Sequence, residues 1–314
     1  MPGNTNFDTV ASTTFNNLQK KMADNISDNI PLFKYLKMKG SIVVSGGDKI
    51  VRPMIYKMAN AQSYSGRDSL DLTDPGGITA AEYNWKQTIV PVTIDGITKA
   101  RNAGREKQIS ILDTLKQQAE ISMADKVSEM MFGDGTGNGG KDMLGLQAIV
   151  DHAPTTGVLG GIDRATNAFW RNKTKSIGAY GTYLMPYLST LIRDLTRGTN
   201  RPDIIVMNST DYGYLETLAW GKAQYQNSKL TSLGFEALKY QGIDVIHDAN
   251  TPTGKNYCLN TKHLKLYINS AANFTMGKFI EPADGDYLAA KYKLYAQFTT
   301  DRAESAGLFY GVTT

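Results

Sequence analysis

The sequence predicts an α+β fold in which a long β-arm and one long helix are attached to a region of alternating short helices and strands. Three observations carry that expectation. Hydrophobic residues recur with a period near two through residues 41–100, the spacing becomes helical over residues 105–132, and helical stretches then alternate with short apolar runs of strand type.

Residues 7–26 read as an amphipathic helix, with Phe7, Val10, Ala11, Phe15, Leu18, Met22 and Ile26 at spacings of three and four, and Pro31 is expected to end it. Residues 32–39 mix Lys34, Lys37 and Lys39 with Phe33, Tyr35, Leu36 and Met38. They form a short helix or an extended segment whose lysines are a solvated face. β-Rich residues (Ile50, Val51, Ile55, Tyr56) mark 48–58, and a longer run (Trp85, Ile89, Val90, Val92, Ile94) marks 83–97. Between them, 60–80 holds Gly66, Pro75, Gly76 and Gly77 together with Arg67, Asp68, Asp71 and Asp74. The simplest assembly is a two-stranded arm with a polar tip, each limb about 30 Å long at roughly 3.3 Å per residue. An isolated ribbon of this kind is marginal in water, so the arm is expected to lie on something else, such as another subunit.

The helix over 105–132 places Ile109, Leu112, Leu115, Ala119, Met123, Val127 and Met130 on one face and spans about 40 Å at 1.5 Å per residue, with Gly133 as its stop. A second helix is expected over 186–197, closed by Gly198. A buried strand at 203–207 should lead into a helix capped by Ser209 or Thr210 and running to about residue 225. Short strands follow at 242–247, 257–260 and 264–268, and a long one at 287–299. The chain has no internal repeat and no low-complexity tract.

Composition narrows the function classes. A chain of 314 residues with 41% hydrophobic and 20% charged residues is neither disordered nor a disulfide-stapled miniprotein. A net charge of +4 is too small for a dedicated nucleic-acid reader, so contact with DNA or RNA is expected to be diffuse. The longest apolar run, Ile204–Met207, is far short of the roughly 20 residues that a membrane helix needs. A lone cysteine, Cys258, and an N-terminal segment without secretory character lead us to expect synthesis in a reducing cytoplasm. The content of 30 glycines and 17 tyrosines suits long loops and amphipathic contact surfaces.

Motifs for chemistry fare poorly. Gly135, Gly140 and Lys141 match the G-x-x-x-x-G-K part of a phosphate-binding loop, but Asp142 stands where Ser or Thr would ligate Mg²⁺, and a helix precedes the loop where a strand is required. A flexible connection is the better reading, and a dinucleotide fingerprint fails for the same reason. His152, His247 and His263 lie on separate segments and Cys258 has no C-x-x-C partner, so neither a metal nor another cofactor is expected. The His247–Asp248 pair lacks a G-x-S-x-G serine, and no catalytic residue is assigned. Asp163 and Arg164 are expected to fix a turn by charge-assisted hydrogen bonds, with Phe169 and Trp170 anchoring the loop to a core or a neighbour.

The run GGIDRATNAFWRN at 160–172, following GLQAIVD at 145–151, resembles the major capsid proteins of tailed bacteriophages, as does LYINSAANF at 266–274. That family has the Hong Kong 97-type fold. The resemblance implies an N-terminal arm (1–45), an extended β-hairpin loop (46–100), a peripheral domain (101–180) whose spine helix is 105–132, a mixed α/β axial domain (181–262), and a return to the peripheral domain ending in a C-terminal strand (263–314). It further implies a structural protein, not an enzyme, that self-assembles as hexamers and pentamers into an icosahedral shell around packaged double-stranded DNA. Such a protein is found in the virion and assembles in the host bacterial cytoplasm. Its partners would be other copies of itself, a separate scaffolding protein, a portal and a decoration protein, with weak non-specific contact to DNA and none to membranes. Candidate contacts between subunits are Phe7, Phe15, Arg67, Asp68, Asp71, Asp74, Asp163, Arg164 and Trp170. The family's Lys–Asn cross-link has no marked counterpart at Lys57 or any asparagine. The competing readings are an encapsulin-type storage shell, which shares the fold, and a nucleotide-binding enzyme using the 135–141 loop.

Overall fold

The structure, a computed structural model, describes residues 30–73, 76–97, 105–219, 238–283 and 285–312. The helix expected over 7–26, with Phe7 and Phe15, lies outside the described residues, as does Asp74.

Helix α1 (Pro31–Met38) begins at the proline expected to end a helix. In the first turn the missing N–H costs nothing and the fixed φ suits the helix, so Pro31 is an opening residue. Leu32, Phe33, Tyr35 and Leu36 are buried, while Lys37 and Lys39 face solvent. After β1 (Ile42–Ser45), strands β2 (Lys49–Ile55) and β3 (Ile78–Asn84) form an antiparallel ribbon from Lys49 opposite Asn84 to Ile55 opposite Ile78. The apolar run over 83–97 is not one limb of that ribbon. It breaks at Trp85, and β4 (Lys86–Asp95) leaves to pair with β14 (Tyr287–Thr300). The limbs therefore span about 23 Å rather than 30 Å.

Strand β14 organises the first sheet. One edge pairs with β4 from Tyr287 opposite Asp95 to Ala296 opposite Lys86. The other takes β12 (Leu264–Asn269) and the short β13 (Thr275–Met276) in tandem, and β1 adds in parallel to β12. Helix α2 (Arg105–Phe132) has the predicted limits and buries Ala119, Met123, Val127 and Met130. Ala119 packs with Val92 of β4 and Ala290 of β14.

A two-residue hairpin, β5 (Val158–Leu159) with β6 (Ile162–Asp163), precedes the second sheet, which has the order β7 (Lys173–Ala179), β15 (Gly307–Val312), β11 (Lys255–Leu259), β8 (Ile204–Met207), β10 (Ile243–His247), β9 (Leu238–Tyr240). All four residues of β8 are buried. Ile205 and Met207 join a core with α3 (Tyr180–Leu195) and α4 (Ser209–Ala219), while Ile204 and Val206 join the main core with α1 and α2. A central strand covered on both faces has no polar side to display, which accounts for its unbroken apolar sequence. Strand β15 pairs with β11 and β7, so the end of the segment expected to return to the peripheral region belongs to this sheet instead.

Two helix ends differ from expectation. Helix α3 starts six residues before Pro186, which it carries internally, and stops at Leu195. Gly198, at φ 60°, shapes the turn that pairs Arg197 with Asn200 and does not cap the helix. Helix α4 is capped by Asn208, whose Oδ1 accepts from the Thr210 amide at 3.0 Å, and not by Ser209 or Thr210.

Candidate functional site

The ribbon β2–β3 is a projecting arm. Its outer side shows Val51, Ile55 and Ile78, and residues 56–73 are exposed throughout, including Met58 (80%) and Leu72 (89%). A stripe of uncovered apolar side chains of this kind marks an interaction surface. The tip is shaped by its own polar groups. Asn60 Nδ2 donates to Asp71 Oδ2 at 3.0 Å, the Thr73 amide donates to Asp71 Oδ1 at 3.0 Å, and the Ser65 amide donates to Asp68 Oδ2 at 2.8 Å. Hydrogen bonds from Thr73 and then Asn60 hold the Asp71 carboxyl below its ordinary range. Arg67 makes no ion pair among the described residues, so the tip keeps exposed carboxylates.

The root of the arm is built differently. Ile50, Ala81 and Tyr83 enter the main core, and Tyr83 Oη donates to the Thr300 carbonyl at 3.0 Å. The Arg52 guanidinium binds the Asp301 carboxylate, donates to Tyr267 Oη at 3.2 Å, and lies 5.8 Å from the centre of that ring. His263 Nδ1 meets the other Asp301 oxygen at 2.8 Å. Tyr56 stacks on Phe169 at 4.6 Å, and the Glu82 amide donates to the Gly160 carbonyl at 2.9 Å. Gly160 is needed there: its φ is +58°, and a Cβ would stand 2.8 Å from that of Ala81.

The segment 160–172 thus buttresses the arm, but not through the residues first singled out for contact with a neighbour. Arg164 is 2% exposed and Trp170 is fully buried within the subunit. Arg164 donates to the Ala148 and Ile149 carbonyls at 2.9 and 2.7 Å and pairs with Asp151 at 3.3 Å, while burial pulls its pKa down. It therefore clamps the neighbouring 145–151 segment. Asp163, its neighbour in sequence, accepts from the Ala165 amide at 2.9 Å and shapes a turn without Arg164. Trp170 Nε1 donates to the Leu159 carbonyl at 2.9 Å. Asp163 alone of these three keeps partial exposure.

The glycine loop closes α2 onto the first sheet. Asp142 accepts from Lys126 Nζ at 3.1 Å and Asn138 Nδ2 at 2.8 Å, and Lys86 donates to the Gly140 carbonyl. The carboxylate that the phosphate motif excludes is held inside the loop. The three histidines stand apart: His152 against Tyr310, His247 near Tyr212, and His263 on Asp301. Cys258 is fully buried, and burial pushes its thiol pKa up. Among the described residues, no group of three metal-ligating side chains forms and no helix is long and apolar enough to cross a membrane.

One surface was not legible in the sequence. A groove of about 460 Å³ beside β9 and β10 is lined by Lys39, Arg201, Lys239 and Lys262, with Asp203 and Asp244 also in its wall. Its four cations come from four separate segments, so no local charge run announces it.

No family model matches the chain, and no curated protein matches it. Solved structures do. A chain of the cyanophage A-1(L) capsid asymmetric unit is 15% identical, with a TM-score of 0.68 over 88% of this chain and 91% of that one. A chain of the native GTA particle capsid is 10% identical, with a TM-score of 0.58 over 87% and 89%. A chain of the satellite phage P4 procapsid is 12% identical, with a TM-score of 0.52 over 100% and 99%. These are shell subunits, and the likeness runs nearly end to end. The chain has the fold of phage capsid proteins, the Hong Kong 97-type fold.

Proposed function

We propose that this chain is a major capsid protein that self-assembles as hexamers and pentamers into an icosahedral shell enclosing packaged double-stranded DNA. The observation that carries the proposal is the match to the cyanophage capsid chain over 88% of this chain. The arm supports it, because a ribbon with an uncovered apolar stripe is stabilised by lying across an adjacent subunit. On this reading 1–45 is the N-terminal arm and 46–100 the extended loop. Residues 101–180 form the peripheral domain, 181–262 the axial domain, and 263–314 the segment that returns to the first sheet through β12, β13 and β14 and ends in the second sheet as β15. The subunit acts in the virion after assembly in the host bacterial cytoplasm, alongside a separate scaffolding protein, a portal and a decoration protein. Its net charge of +4 suits a container that touches DNA weakly. A shell role assigns no catalytic residue. Arg67, Asp68 and Asp71 at the arm tip and Asp163 remain as contact candidates, with Phe7, Phe15 and Asp74 proposed from sequence alone.

The test is negative-stain microscopy and sedimentation of the purified chain, expressed with and without a candidate scaffolding protein. Closed particles are expected, and a strictly monomeric chain under every condition would overturn the reading. Particles filled with a protein cargo and lacking nucleic acid would move it to the storage shells.

A further inference from the structure

The arm tip and the cationic groove are complementary, and within one chain they do not meet. At the tip, Asp68 and Asp71 are exposed and reach no cation among the described residues. In the groove, the two carboxylates are already engaged. Asp203 accepts from the Thr261 amide at 2.9 Å and from its hydroxyl, and Asp244 accepts from Tyr35 Oη at 3.2 Å with Lys239 at 3.8 Å. Arg201 donates to the Gln241 carbonyl. That leaves Lys39, which lies 5.2 Å over the Tyr35 ring, and Lys262, both exposed and neither reaching a carboxylate among the described residues. Met38 and Pro202 add apolar wall to the same groove, matching the exposed Leu70 and Leu72 that flank Asp71.

We infer that this groove receives the arm tip of a second copy of the chain, with Asp68 and Asp71 paired against Lys39 and Lys262. The inference rests on the capsid reading and names the surface that takes the arm. Tip and groove lie on different elements, so the contact is head-to-tail, and a head-to-tail contact that closes makes a ring. A nucleic-acid backbone fits the groove less well, because it offers no apolar side chain to the Met38 and Pro202 wall. A volume of about 460 Å³ also takes a few side chains rather than a double helix.

Charge exchange tests it. The variant Asp68→Lys/Asp71→Lys and the variant Lys39→Glu/Lys262→Glu are each measured for assembled fraction by sedimentation, and then combined in one chain. A loss of about twofold per contact compounds around a hexameric ring, so each double variant is expected to lower assembly on the order of fifty-fold. The combined chain is expected to recover to within about threefold of the parent. Asp68→Asn/Asp71→Asn removes the charge, keeps one oxygen for each of the Ser65 and Thr73 backbone amides and gives up only the Asn60 hydrogen bond, so it should show the loss with the loop's backbone contacts in place. Circular dichroism checks that every variant is folded. Failure of the parent chain to assemble overturns the capsid reading and this inference with it. A parent that assembles while the combined variant does not recover, or a groove variant that assembles normally, overturns the inference alone. A groove variant that assembles normally but retains less DNA gives the groove to nucleic acid and likewise overturns it.

Discussion

Replacing Arg52 by methionine should free the arm from its base while leaving the two sheets intact. Arg52 and Asp301 are only 13% and 26% exposed at their side chains, whereas Lys49 and Glu82, on the same ribbon with Lys49 at its base end, are 50% and 54% exposed and pair at 3.0 Å. Breaking a buried pair costs about 3–5 kcal/mol because the surviving charge keeps no partner, and an exposed pair is worth about 0–1 kcal/mol. Asp301 would retain His263 at 2.8 Å, so its charge is not left bare, which places the Arg52→Met penalty near 2–3 kcal/mol. Loss of the hydrogen bond to Tyr267 Oη is included in that figure. An opening penalty of 2–3 kcal/mol raises local exchange about 30- to 150-fold at 1.36 kcal/mol per decade. Hydrogen exchange on the unassembled subunit reads this directly. Amides of β2 and β3 should lose protection by that factor in Arg52→Met, those of the β4–β14 ladder should hold, and Lys49→Met should change arm exchange less than about fivefold. Equal effects of the two substitutions would refute the reasoning, because burial of the root would then carry no energetic weight.

Arg164→Met removes the donor that serves the Ala148 and Ile149 carbonyls and should lower subunit stability by about 2–4 kcal/mol in urea. Unchanged stability with a loss confined to assembly would return Arg164 to the contacts between subunits. Gly160→Ala forces a methyl 2.8 Å from the Ala81 Cβ and 3.0 Å from Tyr83 Cζ at positive φ, costing about 1–3 kcal/mol, and its effect on exchange should be concentrated in β3. Burial pushes the phenol pKa values of Tyr35, Tyr83, Tyr257 and Tyr292 up from the ordinary 10.0. The unfolded chain therefore releases these protons first. Stability is full below pH 10.0 and falls above it by about 1.4 kcal/mol per pH unit for each tyrosine. Urea midpoints between pH 9 and 11, with tyrosinate absorbance, check the sign; smooth ionisation of all four in the native state would contradict it.

Elements governed by local patterns were readable. The limits of α2 follow from its helical spacing and from Gly133, and β8 follows from four apolar residues in a row. Where tertiary pairing decides, local pattern is silent. Nothing in the run around Trp85 shows that its two sides pair with different strands, since both keep a β-type composition. Pro31 and Pro186 suit a helix start as well as a helix stop, and position within the helix settles which. The 160–172 segment meets the arm through Gly160 and Phe169, whereas an Arg next to an Asp in sequence does not reveal the Arg's partner. The carbonyls that Arg164 holds lie 15 and 16 residues away. The cationic groove shows the same limit, as Lys39, Arg201, Lys239 and Lys262 converge only after folding.

The single residue between β3 and β4 has a mechanical consequence. A pull on the arm passes through Trp85 straight into β4, along the axis of a strand that is zipped lengthwise to β14 from Tyr287 to Ala296. Loaded in shear, those hydrogen bonds resist together instead of peeling one by one. The other limb runs through Gly46 and Gly47 into β1, which grips β12 over only Ile42 to Ser45. Tension on the arm is thus carried by one strong tether and one weak one, and under rising load β1 should slip before β4 yields.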